Sequence, residues 1–71
     1  MPKLPVISGA GCIKALQKRG IEIAGKKGSH VKLRRGSVTV IVPRHKTLDR
    51  GTLKRIIDQA GLTPDEFISL L

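Results

Sequence analysis

Apolar side chains recur at a helical spacing near the start of this chain, at every second position through its middle, and at a helical spacing again towards its end. Cys12, Ile13, Ala15 and Leu16 make the first stripe, with Lys14, Gln17 and Lys18 off it, which predicts an amphipathic helix. Ser8 suits its N-cap, and Ile7 can pack against Cys12 across that cap. Lys18 and Arg19 complement the negative end of the helix, and Gly20 fits a left-handed stop. Gly9 and Gly11 each cost roughly 1 kcal/mol relative to alanine, so the first turn is expected to fray.

The period then falls to two. Ile21 and Ile23 alternate with Glu22 and Ala24, Val31 and Leu33 with His30, Lys32 and Arg34, and Val38, Val40 and Val42 with Thr39 and Ile41. This predicts three short strands with one core face each. Gly36-Ser37 reads as a two-residue turn with glycine first. Pairing across it sets Leu33 opposite Val40 and Val31 opposite Val42. The first hairpin is expected to turn at Lys27-Gly28-Ser29, with Ile23 opposite Leu33, Glu22 opposite Arg34 as an opposite-charge pair, and His30 opposite Lys26. Pro43 lacks a ladder donor and ends the third strand.

After a basic loop over Arg44 to Leu48, Asp49 can cap a second helix. Leu53, Ile56, Ile57 and Ala60 follow at i, i+3, i+4 and i+7, and Gly61 stops it. Thr63-Pro64-Asp65-Glu66 is an N-terminal signature for a short last helix carrying Phe67, Leu70 and Leu71. The order α-β-β-β-α with a short C-terminal helix predicts an α+β fold. Its three-stranded antiparallel sheet has helices on one face and leaves the other to solvent or a partner.

A length of 71 residues predicts a single domain spanning 1–71, with one small core and only shallow surface grooves. Charge narrows the partners: 14 Lys and Arg against 5 Asp and Glu give a net +9, which favours polyanions. The chain has no Trp, no Tyr and one Phe. That weakens membrane-surface binding, which favours aromatic anchors, and base stacking on aromatic platforms. Phosphate and shape recognition of RNA remain. The one cysteine, Cys12, falls on the core stripe and reads as a small buried hydrophobe. No apolar run reaches the length of a signal peptide or a membrane span, so a cytoplasmic protein without membrane attachment is expected.

The open sheet face is predicted to carry Glu22, Ala24, Lys26, His30, Lys32, Arg34, Thr39 and Ile41. Charged residues occupy such a face simply because they are solvated, and His30 can be one of them. A histidine among cations is also what metal-free RNA cleavage uses. A base takes the 2′-hydroxyl proton, cations stabilise the phosphorane, and an acid protonates the departing 5′-oxygen. Imidazole can accept and return a proton near neutral pH. His45, two residues beyond Pro43, can approach His30 as an auxiliary group. A metal site is a poor alternative, because Cys12 is on the core stripe and no carboxylates cluster. No metal and no other cofactor is expected. A covalent Ser29–His30 pair fails because adjacent strand residues face opposite ways. Arg44, Lys46, Arg50, Lys54 and Arg55 gather around the start of the second helix, where phosphate contact competes with a plain solvated cationic face.

These residues also fall into a familiar pattern. Lys27-Gly28-Ser29-His30-Val31-Lys32-Leu33 resembles the glycine-serine-histidine segment of HicA-type (YcfA-like) toxins. Lys3-Leu4-Pro5-Val6-Ile7-Ser8-Gly9, Val42-Pro43-Arg44-His45-Lys46 and the stretch from Gly51 to Leu62 are similar to other segments of that family, in the same order. Ala10-Gly11-Cys12 departs from the charged, helix-favouring residues usual there. The resemblance implies a double-stranded-RNA-binding-domain-like fold and a ribosome-independent mRNA interferase with its catalytic histidine at His30. It also implies a HicB-type antitoxin partner that covers this histidine; the toxin alone is expected to be a monomer. Lys26, Lys27, Lys32, Arg34, Arg44, Lys46, Arg50, Lys54 and Arg55 are the expected RNA contacts, with Gly28, Ser29 and His45 auxiliary. The alternative is a non-catalytic double-stranded-RNA-binding module, which the same fold and charge would support.

Overall fold

The elements follow the predicted order: α1 (Gly9–Lys18), β1 (Glu22–Lys27), β2 (His30–Arg35), β3 (Val38–Pro43), α2 (Arg50–Gln59) and α3 (Pro64–Ile68). The computed structural model describes residues 4–71, so Lys3 of the opening motif lies outside the described residues.

Ser8 caps α1 as expected, its hydroxyl accepting the Gly11 N–H at 3.0 Å. Long-range contacts meet the first turn, whose glycines make it weak by propensity. Gly9 is buried, and its N–H donates to the His45 carbonyl at 2.9 Å, while Leu48 N–H donates to the Ile7 carbonyl at 2.9 Å. A Cβ at Gly9 would collide with the Pro43 carbonyl oxygen and reach 2.9 Å from Arg44 Cα. Glycine here lets one backbone approach another. At the other end of α1, Gly20 takes φ +85°, and the Arg35 guanidinium donates to the Arg19 carbonyl at 2.7 Å.

The sheet order is β1-β2-β3, antiparallel throughout. The second hairpin has the predicted register, with Leu33 opposite Val40 and Val31 opposite Val42, and Gly36 at φ +59° opens its turn. The first hairpin begins as predicted, with Glu22 opposite Arg34 and Ile23 opposite Leu33. The register then shifts between Ile23 and Gly25, leaving Ala24 as an extra residue on β1. Such a bulge moves every later residue of the strand by one partner. Lys27, not Lys26, therefore stands opposite His30, and Lys26 pairs with Val31. The turn shortens to Gly28-Ser29, with Gly28 at φ +59°. Glu22 and Arg34 face each other as expected, although they form no ion pair, and Arg34 Nε donates to the Gly36 carbonyl at 3.2 Å.

Val31, Leu33, Val40 and Val42 form the covered sheet face, and Cys12, Leu16, Leu53, Ile56, Ile57 and Phe67 pack on it from the helices. Among the described residues no polar or charged side chain is buried. Burial pushes the Cys12 thiol up to about 12, so it remains a protonated, inert core group. β1 departs from the expectation of one core face per strand. All six of its residues are exposed, and Ile23 keeps 51% of its surface. Ile21, just before the strand, is buried, whereas Ile23 lines an open groove between β1 and α1 together with Ala10, Ile13 and Lys26.

Candidate nucleic-acid interface

His30 opens β2, and its neighbours across the sheet are Lys27 on one side and Pro43 on the other. The side chain is exposed, as are Lys27, Lys32, Arg34 and Thr39. Alternation with buried Val31 and Leu33 turns His30, Lys32 and Arg34 to the open face. The bulge turns Lys27 to the same face and Lys26 towards the helix side, at the uncovered edge of β1. The Gly28-Ser29 turn is tied to the segment after β3, because the Ser29 carbonyl accepts the Arg44 N–H at 2.6 Å. His45 follows directly, with an exposed side chain and a carbonyl committed to Gly9. The two histidines therefore share one end of the sheet. Among the described residues, neither imidazole takes part in a side-chain hydrogen bond, with the other or with any group.

The remaining basic residues divide into two groups. Arg44, Lys46 and Arg50 lie on the connection into α2 and at its first residue, and Arg44 is bonded to Ser29 next to His30. Lys54 and Arg55 are exposed on α2, whose Leu53, Ile56 and Ile57 are buried against the sheet. Their cations therefore point away from the open face, and a strand touching both groups has to pass round the end of the sheet. The structure does not bring all the sequence-predicted contacts onto one surface.

The start of α2 is not a vacant phosphate site either. The Asp49 carboxylate accepts the Thr52 N–H at 2.7 Å and the Thr52 hydroxyl at 3.1 Å. Those bonds, the backbone one first, hold its carboxyl below the usual range. Phosphate contact here falls to the Lys and Arg side chains rather than to the helix amides. Carboxylates neutralise little of this cationic surface, since the ion pair found among the described residues is Arg19–Glu66, exposed and 3.8 Å long. No group of three His, Cys, Asp or Glu side chains able to hold a metal occurs among those residues. No described helix is long and apolar enough to cross a membrane.

Phosphate contacts can be counted by salt dependence. On a single strand each one contributes about −0.7 to the slope of log K against log salt. The double substitution Lys54→Ala/Arg55→Ala is expected to make that slope shallower by about 1.4 if both residues bind phosphate. Fluorescence-anisotropy titrations across a salt series measure it, and an unchanged slope would remove both residues from the interface.

Sequence reasoning missed Lys27 as the neighbour of His30, the close approach at Gly9 and the Arg35 clamp on α1. A glycine inside a strand is a known sign of a bulge, so Gly25 carried the signal for the first of these.

Residues 9–62 match the model of a family described as the HicA toxin of bacterial toxin–antitoxin systems. The match takes in α1, the whole sheet and α2, and leaves out α3. No curated protein matches the chain.

Proposed function

The chain belongs to the HicA toxin family of bacterial toxin–antitoxin systems, and from that premise we propose that it is an endoribonuclease that cuts mRNA, independently of the ribosome and of any metal, with His30 as its catalytic residue. One domain, residues 1–71, both binds and cuts. The observation that carries this reading is an exposed imidazole at a strand end, between Lys27 and Pro43, on a face whose cations form no ion pair with a carboxylate among the described residues.

The chemistry is an internal transfer at phosphorus. Neutral His30 removes the proton of a ribose 2′-hydroxyl, and the oxygen attacks the adjacent phosphorus. The bond from phosphorus to the 5′-oxygen breaks as the new one forms. Lys27 and Lys32 stabilise the charge that builds on the phosphoryl oxygens. The departing 5′-oxygen takes a proton, for which His45 is the candidate donor. The products are a 2′,3′-cyclic phosphate and a free 5′-hydroxyl, so no water is consumed in the cleavage step. Lys26, Arg34, Arg44, Lys46, Arg50, Lys54 and Arg55 are proposed to hold the strand through phosphates, while Gly28 and Ser29 shape the turn beside His30. A HicB-type antitoxin is the proposed partner, and it silences the toxin by covering His30. The toxin by itself acts as a monomer in the cytoplasm.

The test uses the purified chain and one single-stranded RNA. Cutting is expected to continue in excess EDTA and to leave cyclic-phosphate and 5′-hydroxyl ends. A single 2′-deoxy nucleotide at a mapped cut should stop cleavage at that step alone. Strong inhibition by EDTA, or cutting of the deoxy-substituted step, would refute the mechanism.

A further inference from the structure

Beside His30 on the open sheet face lies a shallow hollow of about 270 Å³, lined by Gly25, Lys26, Lys27, His30, Lys32 and Ile41. Its composition is unusual for this surface. Ile41 leaves 40% of its area exposed on a face that is otherwise polar and cationic. In the same row across the sheet stand Lys32 and then Gly25, and a Cβ placed on Gly25 meets nothing within 4 Å. The hollow exists because β1 has no side chain there. Its lining is largely apolar although three of its six residues are lysines, as it is when their methylene stems cover a surface. A space below the roughly 300 Å³ of drug-sized pockets suits one small ring system.

The proposed reaction supplies a need for such a seat. Attack by a 2′-oxygen requires it to lie in line with the phosphorus–5′-oxygen bond. Regular base stacking in an A-form strand holds these atoms far from that line. Taking one base out of the stack frees the backbone to reach it, and enzymes that act on nucleic acids seat such bases between apolar side chains. We propose that the hollow over Gly25 and Ile41 binds one unpaired nucleobase of single-stranded RNA, next to the phosphate that His30 cleaves. This rests on the nuclease reading for its purpose but not for its measurement. Ile41 and Gly25 are positioning residues: they hold the base and leave the proton transfers to the histidines.

The test reads base placement without cleavage. The probe is a set of short single-stranded RNAs with 2′-O-methyl sugars throughout, which cannot be cut, in which 2-aminopurine moves one position at a time. Unstacking raises the fluorescence of this base. With the wild-type chain, one position is expected to brighten on binding. Gly25→Val should abolish that change, since valine suits a strand and fills open space. Ile41→Thr, which keeps the branch and removes apolar lining, should reduce it. Circular dichroism confirms that both variants fold. Cleavage of unmodified RNA should fall about tenfold in Gly25→Val, as expected for one lost base contact. Equal brightening in wild type and Gly25→Val, or tight binding with no brightening in either, overturns the seat and leaves the nuclease reading intact. If the chain neither binds these RNAs nor cuts unmodified RNA, both are overturned.

Discussion

Alanine in place of His30 is expected to slow RNA cleavage by about 10²–10⁴-fold, the usual effect of losing a positioned acid–base group. The fold should not change, because the side chain is exposed and hydrogen-bonds to no described group. Substitutions at such positions usually alter stability by no more than about 0.5 kcal/mol. RNA affinity should also remain within a few-fold, since long-range attraction comes from Lys and Arg side chains that the substitution leaves in place. Loss of rate with retained binding is the pattern that separates an enzyme from a double-stranded-RNA-binding module, which reads phosphates and 2′-hydroxyls and has no use for an imidazole at this position. Gel-based cleavage rates and anisotropy binding curves on the same preparations measure both quantities, and growth arrest on expression should disappear in parallel. Equal cleavage rates for the two proteins would end the assignment of His30.

How much of this was readable in advance varied with the density of apolar markers. Val38, Val40 and Val42 before Pro43 allow one register only, because slipping by one residue would turn all three valines to solvent. The second hairpin was therefore legible in full. The first was not. Ala24-Gly25-Lys26-Lys27 contains no large apolar residue, so nothing in the pattern resists a bulge at Ala24. The error exchanged Lys26 and Lys27 beside His30, while His30 itself was correctly placed, because β2 carries its own markers in Val31 and Leu33. Lys54 and Arg55 show another limit. Periodicity puts them outward on α2, but only the packed structure shows that outward there means away from the sheet face. The hollow beside Ile41 was hidden for a related reason, since it depends on which β1 residue stands level with Lys32. Gly9 was misread because helix propensity is a local property, and the backbone it approaches lies 34 residues further along the chain, at Pro43.

That misreading leads to a large expected effect on stability. By propensity alone, alanine at Gly9 and alanine at Gly11 should each stabilise α1 by roughly 1 kcal/mol. The surroundings separate them. At Gly11 a new Cβ would come within 3.0 Å of Ile7 Cγ1 and 3.3 Å of its Cδ1, a flexible side chain that can give way. Gly11→Ala is therefore expected to be close to neutral or mildly stabilising. At Gly9 the obstacle is main chain, the Pro43 carbonyl and Arg44 Cα, and neither can move alone. Arg44 N–H is bonded to Ser29, and the His45 carbonyl to Gly9 itself. Overpacking usually costs about 1–3 kcal/mol, and here the lost Gly9–His45 bond adds about 1 kcal/mol more. A domain of this size starts with only about 5 kcal/mol or somewhat more, so Gly9→Ala should keep only a small part of that stability and melt far below wild type. Because the same contact holds Arg44 and His45 beside the Gly28-Ser29 turn, any folded fraction should also cleave RNA poorly. Thermal and urea melts of the two alanine variants provide the comparison. If Gly9→Ala proves as stable as Gly11→Ala, α1 does not dock on the end of β3, and the segment carrying His45 is not held next to His30.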